Sequence, residues 1–422
     1  MSLQTLFHNR EPVSRERLYT PPVLLLAAIV GVSFFGAGFV MPLRALYGRS
    51  VGANGVEIGL MASSFLLAGL LATPLIGRLT DKVGAGNVLW AGLLAHTILV
   101  LAYIPAQDPI LLIGLRALEG IAAAAAYPPA RALMNRLAPA TRQGEALGML
   151  ASAQTAGILL GPVIGVLLAS QSGYNAAFAL ASLPLALGVA VTLFFLPRRA
   201  SGETTPPDAA LGNWRVAFTR PLTLTYALQT ALGMSGGVII TVWSLYMADR
   251  GASLPLIGLS YTTYALPSML LTPLAGRFSD RVGRFWPLTL GFALFGVVWL
   301  VYGFPLTPIT IIIVSGLEGI PASLLSASLG GLLADSTPAN ARGRAQANFS
   351  AAGTLGSLIS SVLAGALYAS GPGIPFVVVG LVYLLIPLVL FLPALRHLIS
   401  RSHLRAAEPE DRLPEPAVTL PA

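Results

Sequence analysis

The amino-acid sequence predicts an all-α membrane protein of twelve transmembrane helices, arranged as two pseudo-symmetric six-helix bundles. Three observations carry that expectation: a composition too apolar for water, a series of apolar runs long enough to cross a bilayer, and an internal repeat with one constant offset. Hydrophobic residues make up 55% of the chain and charged residues 10%, with a mean hydropathy of +0.76. Soluble domains carry roughly 25% charged residues. The chain has no cysteine, which excludes a disulfide framework and a thiolate metal site. A net charge of +8 suggests nucleic acid at first, but the placement of the basic residues explains it otherwise.

A crossing helix needs about 20 apolar residues. Such runs lie at 21–43, 56–77, 87–105, 109–131, 144–170, 174–196, 221–247, 255–276, 286–304, 308–334, 345–370 and 373–395. The first is longer than a signal-peptide core and lacks a small-residue cleavage site, so it reads as a retained span. The longest runs are expected to tilt or to extend into the interface. Of the 25 Lys and Arg residues, all but Arg44, Arg49, Arg116 and Arg250 fall in the N-terminal segment, in or at the edge of the even-to-odd loops, or in the C-terminal tail. By the positive-inside rule both termini are cytoplasmic, in a cell inner membrane. That asymmetry accounts for the basic charge without nucleic acid.

The composition divides the chain into a cytoplasmic segment 1–20, a bundle 21–196, a cytoplasmic linker 197–220, a bundle 221–396 and a tail 397–422. The linker is Pro-containing and basic at both ends. The tail is polar and is expected to be disordered. The two bundles repeat: residues 72–84, ATPLIGRLTDKVG, align with 271–283, LTPLAGRFSDRVG, at an offset of 199. The same offset carries Glu119 onto Glu318, Pro139 onto Pro338 and Gly144 onto Gly343. Each half has an even number of spans, so the repeats run parallel, about an axis along the membrane normal.

Three motifs carry a family resemblance. The loop pattern G-x-L-x-D-[RK]-x-G-[RK]-[RK] appears as Gly77-Arg78-Leu79-Thr80-Asp81-Lys82-Val83-Gly84, then departs at Ala85 and Gly86. Its second copy is Gly276-Arg277-Phe278-Ser279-Asp280-Arg281-Val282-Gly283-Arg284. The helix 4 pattern R-x-x-Q-G appears at Arg116–Gly120, with Glu119 in the Gln position. The helix 5 pattern G-x3-G-P-x-x-G-[GA] appears at Gly157, Gly161, Pro162 and Gly165, with Val166 last. With these motifs and twelve spans, the chain resembles the major facilitator superfamily over residues 20–396, and within it the twelve-span drug:proton antiporters. The resemblance implies the fold of that family, with helices 1, 4, 7 and 10 lining a central cavity.

The chemistry of each motif follows from its residues. Gly77 is expected to end helix 2 and admit a neighbouring helix; Gly84 supplies a turn with positive φ. Asp81 can accept hydrogen bonds from an Arg or a helix N-terminus, with Arg136, Arg142 and Arg342 nearby in topology. Gly77, Arg78, Asp81, Lys82, Gly84 and Arg142, with Gly276, Arg277, Asp280, Arg281 and Gly283, therefore read either as a cytoplasmic latch between the halves or as a well-capped topological turn. Gly157, Gly161 and Gly165 share one helix face and favour backbone-to-backbone packing. Pro162 is expected to kink the helix, and the face to seal against the other half; ordinary helix packing is the alternative.

The acids at mid-depth are Glu119 and Glu318, in runs where an ionised side chain costs roughly 2.5–3.5 kcal/mol. Arg116, three residues before Glu119, shares its helix face. Glu318 has Ser315 in the equivalent place and no cation within a turn. Arg116, Glu119 and Glu318 are thus expected to supply the proton-coupling site, with Glu318 the acid that takes the proton and Glu119 the one more often ionised. A static Arg116–Glu119 bridge and a Glu318 carboxyl bonded to Ser315 or a carbonyl are the structural alternatives. Helix 1 carries no acid.

Phe34, Phe35, Phe39, Met41, Tyr127, Gln154, Gln229, Met234, Trp243, Tyr261 and Tyr264 are the candidate cavity lining, an aromatic and amide-bearing surface suited to flat apolar ligands. His96 stands alone in helix 3 and the other histidines lie in the tails, so no metal is expected. No GxxxxGK[ST] loop is present, so ATP hydrolysis is not expected, nor is any cofactor or enzymatic activity. The expected function is proton-coupled export of small, largely apolar organic molecules by alternating access, working as a monomer in the bilayer. A carrier for a sugar or other metabolite, or a non-transporting receptor or scramblase, are the rivals.

Overall fold

The computed structural model describes residues 18–196, 218–338 and 341–407. Most of the expected linker (197–217), the segment 1–17 and the tail beyond 407 lie outside the described residues. In order the helices are α1 (Pro21–Ser50, with a turn at Met41–Pro42), α2 (Gly55–Val83), α3 (Ala85–Ala102), α4 (Pro109–Leu137, with a turn at Ala125–Ala126), α5 (143–172) and α6 (174–195). The second half repeats them as α7 (Arg220–Asp249), α8 (Leu254–Val282), α9 (Phe285–Val301), α10 (Pro308–Ser336), α11 (Arg342–Ser370) and α12 (Ile374–Leu390), followed by α13 (Pro393–Ala407). Nine of the described helical segments are long and apolar enough to cross a membrane. One of these, Gln143–Phe195, leaves helical geometry at Gly173 (φ 78, ψ 173) and is two helices end to end. The apolar α9 and α12 are 17 residues each. Segment for segment, these are the twelve spans read from the apolar runs.

Helix ends follow local chemistry. The Asn54 side chain accepts a hydrogen bond from the Glu57 amide, and the Asn54 amide donates to the Glu57 carboxylate, a complete capping box at the start of α2. Asp108 and Thr307 cap α4 and α10, each followed by a Pro at the first helical position. Four turns with positive φ pair across the repeat: Gly84 with Gly283 on one face, Gly52 with Gly251 on the opposite face. We refer to these as the loop-motif face and the far face.

Several boundaries correct the reading from composition. α2 runs to Val83 rather than ending at Gly77, because nothing between them breaks the hydrogen-bond ladder before Gly84 (φ 91) stops it. Gly77 and Gly276 are therefore helical, and a Cβ at either would meet nothing within 4 Å. The first span continues to Ser50, which puts Arg44 and Arg49 on a helix instead of in a loop. The tail is not wholly irregular: α13 continues to Ala407, bent 82° from α12 between Leu390 and Pro393, with Ile399 buried.

Small residues let the helices meet. Gly157, Gly161 and Gly165 of α5 press against the backbone of α1 at Gly31, Phe35, Gly38 and Phe39. The seam is thus within one bundle, not against the other half as the motif suggested. The chain stays helical through Pro162, and Gly173 is the one break in the segment. The second half matches it with α7 and α11: Gly356 lies against the Thr230 carbonyl, while Ser357 and Ser361 donate to the carbonyl oxygens of Gly233 and Gly237. Between halves, α2 packs on α11 and α5 on α8.

A Cβ at Gly165 would collide with the Phe39 carbonyl oxygen, whereas one at Gly148 meets nothing within 4 Å. Gly165→Ala is expected to destabilise the protein by about 1–3 kcal/mol, the usual cost of overpacking, and Gly148→Ala to leave it unchanged. Thermal unfolding in detergent micelles compares the two.

Candidate functional site

Glu119 is fully buried and is met by several donors. Arg44 Nη2 donates to Oε1 at 2.7 Å, Arg116 Nη1 to Oε2 at 2.8 Å, and Tyr103 Oη to Oε2 at 2.8 Å. His96 Nε2 stands 3.4 Å from Oε1, without hydrogen-bond alignment. Arg116 also lies over the Phe65 ring, 4.1 Å from its centroid. The expected Arg116–Glu119 pair is present, but Arg44 joins it from α1. The sequence placed Arg44 in water beyond the first span; the helix extension carries it into the core instead.

Glu318 is 2% exposed and has a different surrounding. Trp299 Nε1 donates to Oε1 at 2.9 Å and Tyr302 Oη to Oε2 at 2.8 Å. Ser315, the partner expected from its spacing, instead bonds Thr263 and the Ile312 carbonyl. A serine three residues before Glu318 on the same helix is close enough, but its hydroxyl folds back onto the preceding turn.

The two carboxyl sites are one design built twice. Tyr103 and Tyr302 are related by the 199-residue offset and make the same bond to the equivalent acid. Their carbonyl oxygens accept in turn from Tyr47 and Tyr246, a second equivalent pair. Around this shared frame the neighbours differ. Arg44, Arg116 and His96 map onto Trp243, Ser315 and Phe295, and Val100 onto Trp299. One acid is held by cations and the other by neutral donors. Tyr103, Tyr302, Trp299, Arg44 and His96 were missed in the sequence; the offset that matched the acids already matched the tyrosines.

The halves meet on the far face. Arg49 at the end of α1 pairs with Asp249 at the end of α7, and Tyr368 of α11 donates to the same carboxylate. Gly55 and Gly59 of α2 lie against Gly365 of α11, Gly258 of α8 lies against Pro162 and Val163 of α5, and Thr262 donates to the Leu159 carbonyl across the same seam. On the loop-motif face the halves stand apart. A cleft of ≈ 690 Å³ separates α2 and α4 from α11, lined by Leu70, Pro74, Tyr127, Asn348 and Thr354 among others.

The expected latch is not closed in this conformation. Arg78, Asp81 and Lys82 are exposed, and among the described residues Asp81 makes no ion pair. Arg142, just before α5, pairs with Glu145 in the first turn of that helix. In the second copy Asp280 pairs with Arg284, which also binds Asp335, all within one bundle; Arg277 and Arg281 are exposed and Gly283 supplies its turn. Arg284 stands where the first copy has Ala85, so the first copy lacks that anchor.

The candidate lining is only partly gathered. Met41 borders a cavity of ≈ 20 Å³ with Arg44, Met61, Arg116 and Ile240. Tyr127 borders the cleft and stacks edge-on with Phe34 at 5.4 Å. Phe39 and Trp243 are buried core, not lining; Trp243 donates to Ser260 and packs on Tyr302 at 5.1 Å. Phe35, Gln154, Gln229, Met234, Tyr261 and Tyr264 are half-buried, with Gln229 lying over Gly353 and Tyr261 bonded to Ser244. Glu119 and Glu318 do not border either space, contrary to the expectation that both acids face the substrate path.

Comparison with known proteins adds to this geometry. The family model described as Major Facilitator Superfamily matches residues 23–244 and again 225–420. A relative from Lactococcus lactis, "Multi-drug resistance efflux pump PmrA homolog", is 29% identical over 80% of this chain and 87% of its own length. "Quinolone resistance protein NorA" from Staphylococcus aureus is 28% identical over 51% of this chain and 56% of its own. Among solved structures, a bacterial homologue of the human lysosomal transporter Spinster, in an inward-facing and unoccupied conformation, superimposes with TM-score 0.74 at 15% identity, over 91% of this chain and 97% of that one.

Breaking a buried ion pair from one side is expected to cost about 3–5 kcal/mol. Arg116→Met should therefore lower the unfolding midpoint markedly. The double variant Arg116→Met/Glu119→Gln should recover at least ~1 kcal/mol of it, since the two residues touch. A double-mutant cycle in thermal unfolding reads the coupling.

Proposed function

Because the chain belongs to the major facilitator superfamily and is a membrane transporter of that family, we propose that it exports small, largely apolar organic molecules in exchange for protons, with Glu318 as the proton carrier. The observation that carries this reading is the contrast between two equivalent acids. Glu119 is clamped by two guanidinium groups that cannot give up their charge. Among the described residues Glu318 is hydrogen-bonded by Trp299 and Tyr302, both neutral. A protonated Glu318 keeps the Trp299 bond and can donate to the Tyr302 oxygen once that hydroxyl turns; no cation opposes the change.

The conformation supports alternating access. Both acids are sealed while the far face is closed and the loop-motif face is parted. Glu318 lies ten residues into α10, about 15 Å from the far-face end of that helix at 1.5 Å per residue. Parting α7 from α1 at Arg49–Asp249 would admit water and protons from that side. The loop-motif face is the cytoplasmic one on this reading, by its basic residues. Asp81, without an ion pair here among the described residues, is then the group that closes that face in the opposite state, against an arginine or a helix N-terminus. The relatives named as a multidrug efflux pump and a quinolone resistance protein support the direction and the cargo class.

Glu318→Gln keeps an acceptor for its partners but cannot release a proton. In vesicles with an imposed pH gradient it is expected to lower uphill export by between about 5- and 150-fold, the span of a coupling free energy of 1–3 kcal/mol, while ligand binding persists. Undiminished pH-driven export would remove Glu318 from the coupling. Asp81→Asn should slow turnover by about tenfold, since 1.4 kcal/mol of a charge-assisted bond is at stake. Its binding affinity should stay near that of the parent; an unchanged turnover number removes the latch.

A further inference from the structure

We propose that the transported molecules bear a carboxylate, which Arg44 and Arg116 hold during part of the cycle. This rests on the transport reading above and narrows its cargo class. The count of charges comes first. Two guanidinium groups converge on one carboxylate, Glu119, and among the described residues it is the one acidic partner of each. The cluster therefore keeps a surplus positive charge inside the membrane, where an uncompensated charge is costly and marks a functional site. At the equivalent positions of the second half stand Trp243 and Ser315, so no second acid answers it by symmetry.

Geometry gives the surplus a direction. The cavity between the halves is bordered by both Arg44 and Arg116 but not by Glu119, which lies behind them at 0% exposure. A solute entering there meets the cationic side of the cluster. Arg44 Nε is buried and has no acceptor among the described residues, so one donor of the fork awaits an oxygen. Guanidinium groups bind planar carboxylates better than any other side chain does. The remaining walls are apolar, with Met41, Met61 and Ile240 among them, and methionine adapts to varied shapes. The match is an amphiphile with one carboxylate and an apolar body. At ≈ 20 Å³ the cavity now holds about one water, so the cargo enters only when the halves rearrange.

The test uses matched probes on naphthalene, biphenyl and quinoline bodies: the acetic acid, its methyl ester and the corresponding ethylamine. Binding to the full chain in nanodiscs is measured by calorimetry, and export in vesicles with a pH gradient. The acid is expected to bind at least tenfold more tightly than its ester on each body that binds. Arg44→Gln should abolish that preference, and Arg44→Lys should keep part of it. If Arg44→Gln does not fold, Met41→Glu supplies a carboxylate beside the same groups and should lower the acid-to-ester ratio. Preference for ester or amine, binding of no acid, an unchanged ratio in both Arg44→Gln and Met41→Glu, or loss of the acid preference when chloride replaces gluconate would each overturn the proposal. Export of esters or amines under a pH gradient would sink the carboxylate while leaving the transporter reading intact. Acid binding without any pH-driven export would do the reverse.

Discussion

The hydrogen bond from a tyrosine to a buried glutamate is the interaction on which the central site depends. Hydrocarbon offers a carboxylate no solvent, so each acid needs donors fixed before it arrives. Tyr103 and Tyr302 provide one each, and Tyr47 and Tyr246 bond the backbone carbonyls of those tyrosines. This frame is common to both halves. Because it is common, the differences around it are informative: cations in one half, an indole in the other.

A second constraint is how closely the helices approach. Glycine and serine seams join α5 to α1 and α11 to α7 within the bundles, leaving the contacts between bundles to α2 with α11 and α5 with α8. The far-face contacts include an exposed ion pair, Arg49–Asp249, and a few glycines set against backbone. An exposed pair contributes little stability, so the far-face closure can be undone without dismantling a bundle. That is what a two-state carrier requires: rigid halves and a weak seam.

Much of the fold was legible because membrane insertion leaves a coarse signature. Twenty apolar residues in a row read as a span whatever they pack against. The offset of 199 aligned turns, prolines and acids together. Part of the site was legible for the same reason: Glu119 with Arg116, and Glu318 without a cation. The rest was not. Arg44 sits just past an apolar run, and hydropathy alone assigns such a residue to water; only the helix continuing to Ser50 turns it inward. Phe39 and Trp243 look like lining in a list of aromatics, and prove to be core.

By itself the sequence determined the number of spans, the parallel repeat, the presence of two mid-depth acids and the absence of a cation beside one of them. Those facts depend on residue type and spacing along single helices. The tertiary structure alone decided which helix each glycine face meets, that Arg44 completes the Glu119 cluster, that Trp299 and Tyr302 hold Glu318, and that Arg44 and Arg116, not Glu119, border the small cavity between the halves. The reason is physical. Spacing within a helix sets which side chains share a face, but which neighbour that face touches depends on contacts between segments tens to hundreds of residues apart.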